Sequence, residues 1–138
     1  MKRLIIGLAA MALLAGCSGV EKDARYETAI ELRDAMTAAG YDCPSWDDFD
    51  TETTSFDSGH CLSDNRDQLR VYKTEQARSG DMDGLILGTQ FAMVSTRVEM
   101  GLLVSNNWAI RAPKEEIPGL REKLGGFEPD LSDVRMPT

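Results

Sequence analysis

The sequence predicts an α+β domain: a four-stranded antiparallel sheet built of two hairpins, about three helices lying mostly on one face, and one disulfide. Three observations lead there. Apolar periodicity runs in the order helix, two strands, helix, two strands, helix. Turn chemistry at Asp64-Asn65-Arg66-Asp67 and at Asn106-Asn107 joins each pair of strands into a hairpin. Two cysteines, Cys43 and Cys61, 18 residues apart, would hold both ends of the acidic stretch between them.

The first twenty residues stand apart. Met1-Lys2-Arg3 is basic, and Leu4 to Ala15 is an unbroken apolar run. At ~1.5 Å per helical residue this run reaches roughly 18 Å, short of the ~30 Å hydrocarbon core of a bilayer. It therefore reads as the apolar region of an export signal. The run closes on Leu14-Ala15-Gly16-Cys17, an aliphatic residue and two small residues before a cysteine. This resembles the lipobox of bacterial lipoproteins. The resemblance implies that the Cys17 thiol receives a diacylglyceryl group and that the signal, residues 1–16, is cut away before it. Residues 17–22 would form a lipidated tether, 23–126 the α+β domain and 127–138 a loose tail. Two acyl chains suffice for stable anchoring, at about 0.8 kcal/mol per buried CH₂. The plain alternative is an ordinary secretory signal with a chance cysteine at its end.

Loss of the signal takes Lys2 and Arg3 with it, so the formal charge moves from −8 to −10. Such a balance argues against nucleic acid and against a polybasic membrane patch. Export places Cys43 and Cys61 in an oxidising compartment, where a cysteine pair forms a disulfide. A metal site using His60 beside Cys61 is the sharper alternative, but no ligand spacing supports it.

The first helix is expected over Glu21–Ala39, with Tyr26, Ala29, Ile30, Leu32, Arg33, Ala35 and Met36 at three- and four-residue steps. Gly40 would follow it in a left-handed conformation. Tyr41 to Trp46 turns the chain. Asp47, Asp48, Asp50 and Glu52 then crowd a stretch expected as a solvated acidic loop; a Ca²⁺ site is the alternative, without the glycine and distal glutamate of an EF-hand. Ser55–Ser63 and Gln68–Lys73 read as strands, with Leu69, Val71 and Lys73 opposite Arg70 and Tyr72. Thr74–Thr96 reads as a helical segment broken near Ser79–Gly84, and Leu85, Ile86, Gly88, Phe91, Ala92 and Val94 form its apolar band.

Val98–Ser105 and Trp108–Ala112 flank Asn106-Asn107. This register puts Gly101, Leu103, Trp108, Ile110 and Ala112 on one face and Met100, Leu102, Val104, Ala109 and Arg111 on the other. Both faces are largely apolar, so the hairpin is either covered on both sides or offers one side to a partner. Met100, Leu102, Val104, Trp108 and Trp46 are the candidate interface residues. A last helix runs from Pro113 to Leu124, interrupted at Pro118-Gly119 and ended by Gly125-Gly126.

Catalytic chemistry has one histidine to work with. His60 could act as a general base oriented by Asp57 or Asp64, with Ser58 or Ser63 as nucleophile. No strand-turn-helix elbow surrounds either serine. Gly80 and Gly84 lack the lysine and spacing of a phosphate-binding loop. No cofactor or metal is expected.

Ala39-Gly40-Tyr41-Asp42-Cys43, Cys61, the run from Leu102 to Ile110, and Leu124-Gly125-Gly126 together resemble small secreted lipoproteins of actinobacteria and their temperate phages. Ser105 and Asn106 stand where that pattern has Gly and Pro. The resemblance brings no catalytic residue. It implies residence in the envelope and, for phage-borne members, exclusion of competing phage. The function expected is that of a membrane-anchored, non-catalytic binding module facing the extracytoplasmic side, its partner an envelope or phage protein. A small hydrolase using His60 and an acidic cation-binding domain are the alternatives.

Overall fold

A computed structural model describes residues 20–49, 56–61 and 67–132. Cys17, Asp50, Glu52, Ser63, Asp64 and the end of the tail lie outside the described residues. The elements are α1 (Ala29–Ala38), β1 (Asp47–Phe49), β2 (Phe56–His60), β3 (Gln68–Tyr72), α2 (Glu75–Gly80), α3 (Met82–Thr96), β4 (Met100–Ser105), β5 (Trp108–Pro113), a 3₁₀ turn (Lys114–Glu116) and α4 (Ile117–Leu124). The fold class is α+β with an antiparallel sheet, as the sequence predicts, but the sheet has five strands in the order β1-β2-β3-β5-β4.

The fifth strand is Asp47–Phe49, expected as acidic loop. It pairs with β2 through Asp47↔His60 and Phe49↔Ser58. Short, charged edge strands are common because they resist pairing with other chains. The remaining pairings follow the sequence. Phe56 pairs with Tyr72 and Gly59 with Leu69. Ser105 faces Trp108 and Leu103 faces Ile110 across Asn106-Asn107.

Alternation along the strands divides the core in two. On one face Leu69, Val71, Leu103, Trp108, Ile110 and Ala112 pack with Leu32 and Met36 of α1 and Ile117, Leu120 and Leu124 of α4. On the other, Tyr72, Leu102, Val104 and Ala109 pack with Leu85 and Ile86 of α3. Helices therefore cover both faces, not mainly one. Gly101 allows the start of α4 to approach β4, since a Cβ there would stand 2.6 Å from Ile117 Cγ1.

The first helix starts at Ala29, not Glu21. Thr28 caps it: its Oγ1 accepts from Glu31 N–H at 3.2 Å, while Glu31 Oε1 accepts from Glu27 N–H at 2.8 Å. Glu31 thus reaches back to the N–H just before the cap, a variant of the capping box that fixes the boundary. Asp57 Oδ2 of β2 accepts the Ala29 N–H at 2.8 Å, joining the helix start to the sheet. Gly40 follows the helix at φ +102°. The Thr74–Thr96 segment is two helices that break at Asp81. Pro118 sits in the first turn of α4, where no N–H is needed, so it opens the helix and does not interrupt it.

The tail is not loose at its start. Phe127 donates to Val104 O at 2.9 Å and accepts from Val104 N–H at 3.0 Å. Its backbone thus covers part of the β4 edge, and Leu131 packs against the cluster beneath α3.

Candidate functional site

The hairpin expected to carry an interface is buried within the chain itself. Met100, Leu102, Val104 and Trp108 are all 2 % exposed or less. That expectation is corrected: α1 and α4 take one face, α3 the other, and Trp108 Nε1 donates to Ala24 O at 2.8 Å. Trp46 is half-buried at the rim. Its indole donates to Asp48 Oδ1 at 2.8 Å, Arg33 lies over its ring at 5.4 Å, and its six-membered ring fills the space a side chain at position 59 would need.

Cys43 and Cys61 form the expected disulfide, with Cα atoms 4.7 Å apart. Beside it the buried Asp67 accepts from Tyr41 O–H at 2.7 Å and from Cys61 N–H at 3.0 Å. His60 is buried, with Nε2 3.5 Å from Asp47 Oδ2. Of its candidate catalytic partners, Asp57 and Ser58 lie among the described residues. Asp57 is committed to the α1 cap, and Ser58 Oγ is buried without a hydrogen-bond partner. Among the described residues no three His, Cys, Asp or Glu side chains gather as metal ligands. Asp47 and Asp48 instead engage His60 and Trp46.

A polar knot lies under α3. Arg70 Nη1 reaches Asp81 Oδ2 at 2.9 Å, the Tyr72 hydroxyl donates to the same oxygen at 2.5 Å, and Arg70 lies 4.4 Å over the Phe56 ring. Burial, and then the bond to Asp81, hold the Tyr72 phenol above its usual pKa. Burial likewise pushes the Arg111 guanidinium below the usual arginine value, helped by nearby Arg70 and opposed by Asp67. The knot ties β3 to the break between α2 and α3. A Cβ at Gly84 would sit 2.8 Å from Asp81 Oδ1, so a larger residue there would press on the carboxylate that Arg70 and Tyr72 hold.

Two solvent-facing features bear on function. The first is a cleft of about 580 Å³ at the turn end of the β4–β5 hairpin. The incoming segment forms one wall. Asp23 Oδ1 accepts from Ser105 O–H at 2.5 Å and from Gly126 N–H at 2.8 Å, and Asn106 Nδ2 donates to Asp23 O at 3.2 Å. Behind it Asn107, fully buried, donates to Tyr26 O and Tyr72 O, both at 2.7 Å, and accepts from Tyr26 N–H at 3.1 Å. Arg78, on α2, is buried along its stem; its Nε donates to Asn106 O at 3.1 Å and its guanidinium stands 6.0 Å from the half-exposed Phe127 ring. Lys22 and Arg121 complete a cationic rim. In the sequence Asn106-Asn107 marked only a hairpin turn and Gly125-Gly126 only a helix end, while Arg78 and Arg121 carried no signal.

The second is the outer face of α3. Phe91 is 74 % and Val94 76 % exposed, with Leu87 at 38 %, one turn apart along a helix whose inner face is docked. From the sequence, the apolar band of Leu85, Ile86, Gly88, Phe91, Ala92 and Val94 has the length of a buried helix, with a strand as the alternative. Only Leu85, Ile86 and Ala92 of that band are buried.

The chain was compared with protein-family models, curated proteins and solved structures, and none matches it.

Proposed function

We propose that this chain is a membrane-anchored lipoprotein of the cell envelope that works as a non-catalytic protein-binding module. The anchor rests on Leu14-Ala15-Gly16-Cys17 after an apolar run too short to span a bilayer. Among the described residues no helix is long and apolar enough to cross one.

The observation that carries the binding role is the stripe of Leu87, Phe91 and Val94. Exposed apolar side chains at i, i+4 and i+7 are the anchor pattern of a helix seated in an apolar groove. Singly exposed apolar residues are ordinary, but an aligned set with a three-quarters-exposed phenylalanine is not. The partner fitting this stripe is an envelope protein offering an apolar groove. The resemblance to phage-borne lipoproteins makes exclusion of a competing phage the specific setting.

The test places a photo-crosslinking residue at position 91 in cells, with position 114 as an exposed control. A discrete adduct from 91 alone, abolished by Val94→Asp without a change in melting, supports the role. Equal, diffuse labelling from both positions would sink it. In a strain carrying the protein, Phe91→Asp should restore plating of the excluded phage.

A further inference from the structure

We propose that the cleft bounded by Lys22, Arg78, Arg121 and Phe127 binds a phosphoryl group, supplied by an anionic phospholipid headgroup of the membrane that holds the protein. The proposal rests on the lipid-anchor reading for the source of the group, not for its chemistry.

Charge is the first argument. The chain is strongly acidic, yet three cationic side chains line this one opening, against Asp23 and Glu75. Asp23 already accepts two hydrogen bonds through Oδ1. The ion pairs that the cations make here are long: Arg78 Nη2, on a side chain 5 % exposed, stands 3.8 Å from exposed Glu75, and Arg121 Nη1 stands 3.5 Å from Glu128 with both partners exposed. A charge-assisted bond to a phosphoryl oxygen runs at about 2.7–2.9 Å. The Arg121–Glu128 pair, exposed on both sides, is worth little, so a phosphoryl group can displace it. Net charge acts at long range and is screened within about 8 Å at physiological salt, so local cations decide contact binding.

Construction is the second argument. Arg78 is aimed by its bond to Asn106 O and by the Phe127 ring, and its whole side chain is only 5 % exposed. Positive φ occurs at Asp23 (57°), Asn106 (33°), Gly125 (84°) and Gly126 (93°), all lining this cleft. A Cβ at Gly125 would stand 2.7 Å from Asp23 Oδ1, and one at Gly126 2.8 Å from Val104 O. Unusual backbone held in place by hydrogen bonds concentrates at binding sites. A volume of about 580 Å³ also falls in the range of ligand pockets.

Position is the third. Lys22 follows Cys17 by five residues, a reach of at most ~18 Å for a fully extended chain. Once Cys17 is acylated, the cleft cannot stand far from the headgroups.

The experiment uses the mature lipidated protein in neutral detergent micelles, followed by amide shifts of Gly125, Gly126 and Phe127. It is titrated with phosphatidylglycerol, phosphatidylcholine, glycerol phosphate or inorganic phosphate. Saturable shifts with phosphatidylglycerol and glycerol phosphate, and none with phosphatidylcholine, are expected. Lys22→Gln with Arg121→Gln, both exposed and neutral to folding, should weaken binding on the order of 30-fold. Shifts with glycerol phosphate or inorganic phosphate but not with the lipid would overturn the lipid source and keep the phosphoryl site. No saturable shift with any of the four overturns the proposal. If Cys17 proves unmodified while glycerol phosphate binds, the anchor fails and the cleft stands.

Discussion

Replacing Asn107 with alanine tests how the incoming segment is held. The Asn107 carboxamide spends both N–H groups on carbonyls, Tyr26 O and Tyr72 O, and its oxygen accepts from Tyr26 N–H. Only one orientation of the amide satisfies all three partners. The side chain is fully buried, so truncation leaves two acceptors and a donor with no replacement nearby. Each buried orphan costs about 1–3 kcal/mol, and the Tyr26 groups sit near enough to solvent to recover part of it. The sum is about 4 kcal/mol, at the upper end of single substitutions. With a urea slope of ~2 kcal/mol/M for a domain of this size, the midpoint should fall by about 2 M at unchanged slope. Asn107→Asp should do no better, since it keeps the acceptor but turns a carboxylate toward two carbonyls. Asn106→Gly is the control: it loses one 3.2 Å bond and relieves a positive φ, so its midpoint should barely move. A loss below 1 kcal/mol for Asn107→Ala would refute the reasoning.

Further outcomes follow from the same structure. Replacing Cys43 and Cys61 together with alanine should cost about 3 kcal/mol, the loop-closure value for a sequence separation of 18; a change under 1 kcal/mol in thermal or urea melts would contradict it. Gly101→Ala should lose about 1–3 kcal/mol because its methyl meets Ile117, whereas Gly119→Ala, with open space around it, should not. Tyr72 holds its proton more tightly folded than unfolded, so the unfolded chain releases it first as pH rises past about 10. Stability tied to this group is full below that pH and falls above it. Melting between pH 9 and 11 should show that decline, and Tyr72→Phe should flatten it; an unchanged slope in the variant would count against the assignment.

Much of the sheet was legible. The β4–β5 register and the division of its two faces follow from alternation around Asn106-Asn107, because a slip of one residue would turn Leu103 and Ile110 to the wrong side. The pairing of β2 with β3 and the Cys43–Cys61 bridge follow as directly. The start of α1 was also written in the sequence, in Thr28-Ala29-Ile30-Glu31, but periodicity extended it back through residues that form the incoming segment.

Three features had no local signal. β1 is three residues long, two of them aspartates, and becomes a strand only by pairing with β2. Phe127 lies beyond two glycines and gains its place from the free edge of β4. The cleft joins segments far apart in the chain, with Asp23 and Gly126 bonded across 103 positions, and no pattern within one segment announces it. The exposure of Phe91 and Val94 was hidden for another reason. An apolar band names the residues able to be buried, and the width of the sheet beneath decides how many are.

The most direct measurement on the central claim is the intact mass of the mature protein extracted from membranes. The account predicts a chain that begins at Cys17 and carries a diacylglyceryl adduct on that residue. A chain that begins elsewhere, or one with an unmodified Cys17 thiol, would contradict it.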